Sequence, residues 1–264
     1  MNKVSEILSY ITEVAPLHWQ ENYDNSGLLV GDANALVDKA LLTLDVTEKV
    51  IDEAIENSFH LIISHHPLIF KGLKNILVDN TIGRIVTKAI KNDISIAAMH
   101  TNLDNSFLGV NRVLAEKLGL KDLQILHQNG SEDDVQIGSG MLGVLESEMT
   151  EKEFLSLVKE KLNVPTLRHS ELLERPIRKV AICGGSGSFL INDAKHCKAD
   201  VYLTADVKYH DFFDADNEIL IVDAGHFETE QFTKQLFADI ILKKNSNFAV
   251  QISSVKTNSV HYFV

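Results

Sequence analysis

The sequence predicts an α/β fold with two similar halves built on mostly parallel sheets. Short apolar, β-branched runs alternate with helical stretches along the whole chain, which is the order of a sheet covered by crossover helices. The order also repeats. Leu41–Thr43, a helix and Leu61–Ile63 are matched about 140 residues later by Ala181–Cys183, a helix and Val201–Leu203. At 264 residues and 45% hydrophobic content the chain is long and apolar enough for one large domain or two modest ones.

Residues 3–14 carry a helical stripe of Val4, Ile7, Leu8, Ile11 and Val14. The loop 21–27, with Asp24, Asn25 and Gly27, reads as a turn or as a pocket lining before a short strand at 28–30. A second strand spans 39–44, and a helix capped by Asp45 or Thr47 runs to about 55. The run Leu61-Ile-Ile63 is a buried strand that breaks at Ser64-His-His-Pro67, because proline cannot continue the ladder. A helix at 80–91 and a strand at 94–99 follow, and His100-Thr-Asn-Leu-Asp104 is expected to be the loop leaving that strand. A helix at 109–118 ends on Gly119.

Residues 128–140 are polar and turn-rich, and mark the expected boundary. The first half is therefore 1–127 with 225–264, carrying the metal ligands proposed below, and the second is 128–224. In the second, a strand at 141–145 and a helix at 150–162 lead to a strand at 179–182 and the glycine loop Cys183-Gly-Gly-Ser-Gly-Ser188. That loop is either an anion cradle or a tight strand-to-helix turn; it lacks a Walker lysine. Strands at 201–203 and 219–222, a helix through about 242 and a last strand at 248–253 complete the order.

The formal charge is −12, from 25 basic and 37 acidic residues. Sequence-independent nucleic-acid binding needs the opposite sign, although a local basic pocket remains compatible. The two cysteines, Cys183 and Cys197, lack zinc-type spacing and fit a reducing compartment. Glu6 and Glu13 interrupt the N-terminal stretch, so it is no signal peptide, and no run is long enough for a membrane span. The expected location is the cytoplasm.

Three strand ends concentrate the chemistry: His65 with His66, Asp104 with His100, and His226 with Glu230. In an open α/β sheet ligands gather outside the carboxyl ends of strands. Each piece has a plainer reading. The histidine pair could open a surface loop; as ligands leaving an extended strand, the two would point to opposite sides and suit two metals, or one metal and a supporting group, better than a single shared ion. His226 and Glu230, four apart, could be an ordinary helix-surface pair. Taken together, three imidazoles and two carboxylates suit two divalent ions about 3.5–4 Å apart. Zn, Fe, Mn or Co match such ligands better than Ca.

The motifs Ser64-His-His-Pro67, His100-Thr-Asn-Leu-Asp104, Gly184-Gly-Ser-Gly187 and Gly225-His-Phe-Glu-Thr-Glu230, with Asp24-Asn25-Ser-Gly27-Leu28, resemble the NGG-interacting-factor-three-like family. Its members are often labelled type 2 homologues of GTP cyclohydrolase I. The resemblance spans the chain and implies two interlocked halves assembled as a toroidal homohexamer. It carries the family's dimetal ligands onto His65, His66, Asp104, His226 and Glu230. The activity it implies is metal-dependent hydrolysis of a nucleotide or other phosphorylated small molecule, including cyclohydrolase-like ring opening of GTP. His100 is the candidate for supporting the metal ligands or for proton transfer, with a hydrogen-bonded core histidine as its plainer reading, while Asp206 and His210 are candidates for orienting substrate. The rival class is a non-catalytic metal-binding hexameric scaffold or regulatory protein. One departure is Thr204-Ala205-Asp206, where the family more often has glycine before the acid.

Overall fold

A computed structural model describes residues 1–263 and separates them into two units. The first unit is residues 1–103 and 233–259; the second is 104–232 with 260–264, of which Val264 lies outside the description.

The first unit holds a five-stranded sheet in the spatial order Ala249–Ile252, Lys39–Thr43, Leu61–Ser64, Ser95–Ala98, Gly27–Val30. Its first three pairings are parallel and only the last is antiparallel. The central strands are buried on both faces, as their unbroken apolar runs require. Helix Glu48–Glu56 is capped by the Thr47 hydroxyl, which accepts from the Val50 N–H, and helix Thr81–Lys91 is capped the same way by Asn80. Leu41, Ile51, Ile62, Ile85 and Ile96 close the core between them.

The second unit holds six strands in the order Lys121–Glu132, Val135–Thr150, Pro176–Ser186, Val201–Ala205, Leu220–Asp223, Arg168–His169. Here only the two pairings made by Val201–Ala205 are parallel, so the expectation of a mostly parallel sheet holds in the first unit and not in the second. The cause is residues 128–140, read above as a boundary. They form the tip of a long hairpin whose turn is Asp133-Asp134, both at positive φ. Their polarity reflects a tip exposed on both sides, since nearly every residue of 127–136 faces solvent.

The same hairpin moves the division of the chain. Leu114, Leu118 and Leu120 join Val180, Leu203 and Leu220 in the second unit's core. The breaks therefore fall after Leu103 and Phe232, not after 127 and 224. Asp104, His226 and Glu230 accordingly belong to the second unit, whereas all the ligands had been expected in the first half. Among the described residues, no helix is long and apolar enough to cross a membrane.

Candidate metal centre

In the first unit, register aligns the strand ends. Thr43 pairs with Ser64 and Ser64 with Ala98, so Asp45, His65, His66 and His100 all leave the sheet at one edge. The ladder continues one step further than proline at 67 suggests it should weaken: the N–H groups of His65 and His66 donate to the carbonyls of Thr43 and Leu44 at 3.3 and 3.0 Å. The chain then bends, with the Ser64 hydroxyl donating to the His66 carbonyl at 2.8 Å. That bend removes the alternation of an extended strand. The rings of His65 and His66 lie 4.9 Å apart instead of on opposite sides, with His100 at 5.2 and 5.4 Å.

Each ring is held through Nδ1. His65 donates to the Met99 carbonyl at 2.9 Å, His66 to Asp45 at 2.7 Å and His100 to Asp24 at 2.8 Å. A carbonyl or ionised carboxylate can only accept, so Nδ1 carries the proton and Nε2 carries the lone pair of the neutral ring. The three residues each offer a ligand nitrogen within 4.8 Å of the others. Asp24 is itself fixed by the N–H and hydroxyl of Thr101, at 3.0 and 2.5 Å. Burial would raise its pKa, but hydrogen bonds from His100 and Thr101 outweigh it and hold the carboxyl well below the usual range.

In the second unit the short helix His226–Glu230 begins at Gly225, whose φ is +87°. One turn of helix places His226 Nε2 3.0 Å from Glu230 Oε2, so the pair is a meeting of side chains at a buried carboxylate and not a surface ornament. His226 Nδ1 donates to Asp206 at 2.6 Å. Burial alone would lower the His226 pKa; hydrogen bonds with Asp206 and Glu230 outweigh it and push the value up to about 11. A position that holds a proton this firmly favours a cation, and metal binding there competes with that proton.

Glu230 also has an oxygen within 4.8 Å of one on Asp104. Asn111 steadies Asp104, donating to its carbonyl at 3.1 Å while accepting from the Gly184 N–H at 2.9 Å. Burial raises the Cys183 thiol far above its ordinary value, and the charges of Asp104 and Glu230 raise it further. Cys183 is thus an inert thiol that reports negative potential where cations would reside.

The glycine loop serves this helix. A Cβ on Gly185 would lie 2.2 Å from Glu230 Oε1, and the Gly185 N–H donates to the Thr229 hydroxyl at 3.0 Å. With the Gly184 and Gly185 N–H groups spent on Asn111 and Thr229, this stretch is a support for Glu230 rather than an anion cradle. Ala205 causes no strain: the left-handed φ of +55° falls on the next residue, Asp206.

The three oriented imidazoles of the first unit, and the histidine with two carboxylates of the second, are each donor types that fit a divalent metal. Residues 2–259 match the family described as Duf34/NIF3 (NGG1p interacting factor 3). The chain belongs to this family. A Clostridium perfringens member named GTP cyclohydrolase 1 type 2 homolog is 40% identical over 229 residues, covering 86% of this chain and 87% of its own. A Campylobacter jejuni member of the same name is 37% identical over 267 residues, covering 99% and 100%. The crystal structure of a Bacillus cereus protein related to NIF3 matches with a TM-score of 0.92 at 30% identity, over 100% of this chain and 99% of that one.

Within this NIF3-family chain, the structure gathers His65, His66 and His100 in the first unit, and joins Asp104 and His226 to Glu230 in the second. His210 is exposed, edge-on to Tyr209 and stacked on Phe213 instead. Sequence reasoning missed Asp45, read only as a helix cap, and Asp24, read as a turn residue or pocket lining. Asp206 appears as a partner of His226, a role different from the substrate orientation expected of it. A usable signal existed for Asp45: it follows a strand parallel to the one bearing His66 and ends at the same edge.

Proposed function

We propose that the protein is a dinuclear-metal-dependent hydrolase acting on a nucleotide or another phosphorylated small molecule, with opening of the imidazole ring of GTP as the specific candidate. His65, His66, Asp104, His226 and Glu230 would hold two divalent ions drawn from Zn, Fe, Mn and Co. The observation that supports this most is the shared restraint of the histidines, each with Nδ1 on a carbonyl or carboxylate. Such partners fix the tautomer and raise the basicity of a ligand ring. The name borne by the Clostridium perfringens and Campylobacter jejuni relatives supports the GTP candidate.

When bound, the ions lower the pKa of water and polarise the electrophile. The protein's own contribution is positional. Asp45, Asp206 and Asp24 orient His66, His226 and His100 through their Nδ1 atoms. His100 can therefore take up or deliver a proton at Nε2 without losing its orientation. By resemblance the working form would be a cytoplasmic homohexameric ring, and light scattering tests the hexameric mass.

The functional test is anaerobic metal analysis followed by a hydrolysis screen of nucleoside phosphates with each metal restored. About two metals per chain and metal-dependent turnover are expected. Two metals with no turnover of any phosphorylated compound would favour the scaffold reading instead. A chain that takes up no metal even on reconstitution would overturn the proposal.

A further inference from the structure

We propose that Tyr23 and Phe70 form a stacking platform for the planar ring of a nucleotide, with Lys71 and Lys74 meeting its phosphates. The inference rests on the metal-centre reading above and narrows the substrate class of the same site.

Phe70 lies 6.2 Å from the His100 ring at 75°, and Tyr23 lies 6.2 Å from Phe70 at 45°. Both rings are open to solvent, at 40% and 64% exposure. Large aromatic rings left this open beside a histidine cluster present their π-faces to whatever enters. They are also held in place. The Asn25 amide donates to the Ile69 carbonyl at 2.6 Å, tying the residue before Phe70 to the loop that bears Tyr23. Asp24 of that loop holds His100, so two loops position both the histidine and the rings.

The charge of the segment points to the other end of the ligand. Residues 67–78 contain Lys71 and Lys74 and no acidic residue, in a chain whose net charge is −12. Both lysines are exposed. An apolar and aromatic surface followed at once by two cations matches a ring joined to phosphate, and aromatic stacking accepts any base. A phosphorylated sugar would engage the lysines and leave the rings without a partner.

The test is calorimetric titration of GMP and of ribose 5-phosphate into the full-length protein, both metal-free and metal-loaded. Phe70→Leu keeps apolar bulk and removes the π-face, whereas Phe70→Trp keeps a π-face. Wild type and F70W should bind GMP about tenfold more tightly than F70L, with ribose 5-phosphate binding equal in all three. Lys71→Ala with Lys74→Ala should weaken both ligands. Should F70L fail to fold by circular dichroism, Tyr23→Leu makes the same comparison. GMP binding that is absent from wild type, or unchanged in F70L, overturns the platform. So does a variant that changes only the mass by light scattering, which would make the rings a contact between copies. Metal uptake without this discrimination sinks the platform alone. Discrimination in a protein that binds no metal leaves the platform standing and sinks the hydrolase reading.

Discussion

Asp45 shows how much of a candidate metal centre can reside in residues that orient the proposed ligands. One oxygen receives His66 Nδ1 at 2.7 Å and the other receives the Thr257 hydroxyl at 2.7 Å, so the carboxylate can turn toward neither without losing the other. Asp45→Asn keeps the shape and removes the charge that makes His66 a stronger donor. Partners of this kind typically contribute about 10–100-fold in metal affinity. Competition with a chelator should show a loss of that size with circular dichroism unchanged; unchanged affinity would mean that Asp45 only tethers Thr257. The five proposed ligands were legible in the sequence because histidine and carboxylate are conspicuous at strand ends. Asp24, Asp45 and Asp206 were not, because an aspartate after a strand is also an ordinary turn or cap residue. Only the fold shows which oxygen faces which ring.

At the scale of elements, legibility followed burial. The strands around Leu41, Ile62 and Ile96 and the helices between them stand where the apolar pattern puts them, since both faces of each strand are covered. Residues 128–140 read as a boundary because the outer part of the hairpin, 127–136, is exposed on both faces, leaving no hydrophobic period to mark it. His100-Thr-Asn-Leu-Asp104 was expected to be a loop, but Thr101–Asp104 is one helical turn, too short to carry a period. The glycine loop presents a third case, in which the sequence shows a special backbone and the packing supplies its reason. Gly119 and Gly185 have similar φ values, +76° and +63°, but nothing lies within 4 Å of a Cβ on Gly119, whereas Glu230 blocks one on Gly185. Gly119→Ala should cost only the backbone strain of a left-handed alanine, roughly 1–2 kcal/mol, and leave metal content intact. Gly185→Ala carries the same strain and must also displace Glu230. Urea unfolding together with metal analysis separates the two, and equal metal retention would show that Glu230 has room to move aside.

For the whole molecule, the question is how residues 233–259 are fastened into a unit that otherwise ends at Leu103. Part of the answer is backbone: Ala249–Ile252 adds a parallel strand beside Lys39–Thr43. The rest is Glu53, buried on helix Glu48–Glu56. Its carboxylate accepts from the Ser253 hydroxyl, from the Ser254 N–H at 2.9 Å and from the Ser254 hydroxyl at 2.8 Å, across about 200 residues of sequence. Burial would raise the Glu53 pKa, but the bonds from Ser253 and Ser254 outweigh it and leave it lowered. A group whose pKa is lower folded than unfolded adds stability above the unfolded value, near 4.5, and loses it as pH falls through the folded value. Glu53→Gln keeps the volume but replaces charged acceptors with a neutral amide, which can accept at one end only. Hydrogen bonds to a charged group contribute roughly 1.5–3 kcal/mol each, and partial replacement should leave a net loss of about 2 kcal/mol at neutral pH. The pH series gives the sharper reading. Urea midpoints of wild type and E53Q should differ at pH 7 and converge as the pH falls from 4.5 through the lowered folded-state value, where protonated Glu53 and glutamine become equivalent neutral groups. A gap that persists undiminished into acid would assign the effect to lost packing and remove the charge from the account of how the chain closes on itself.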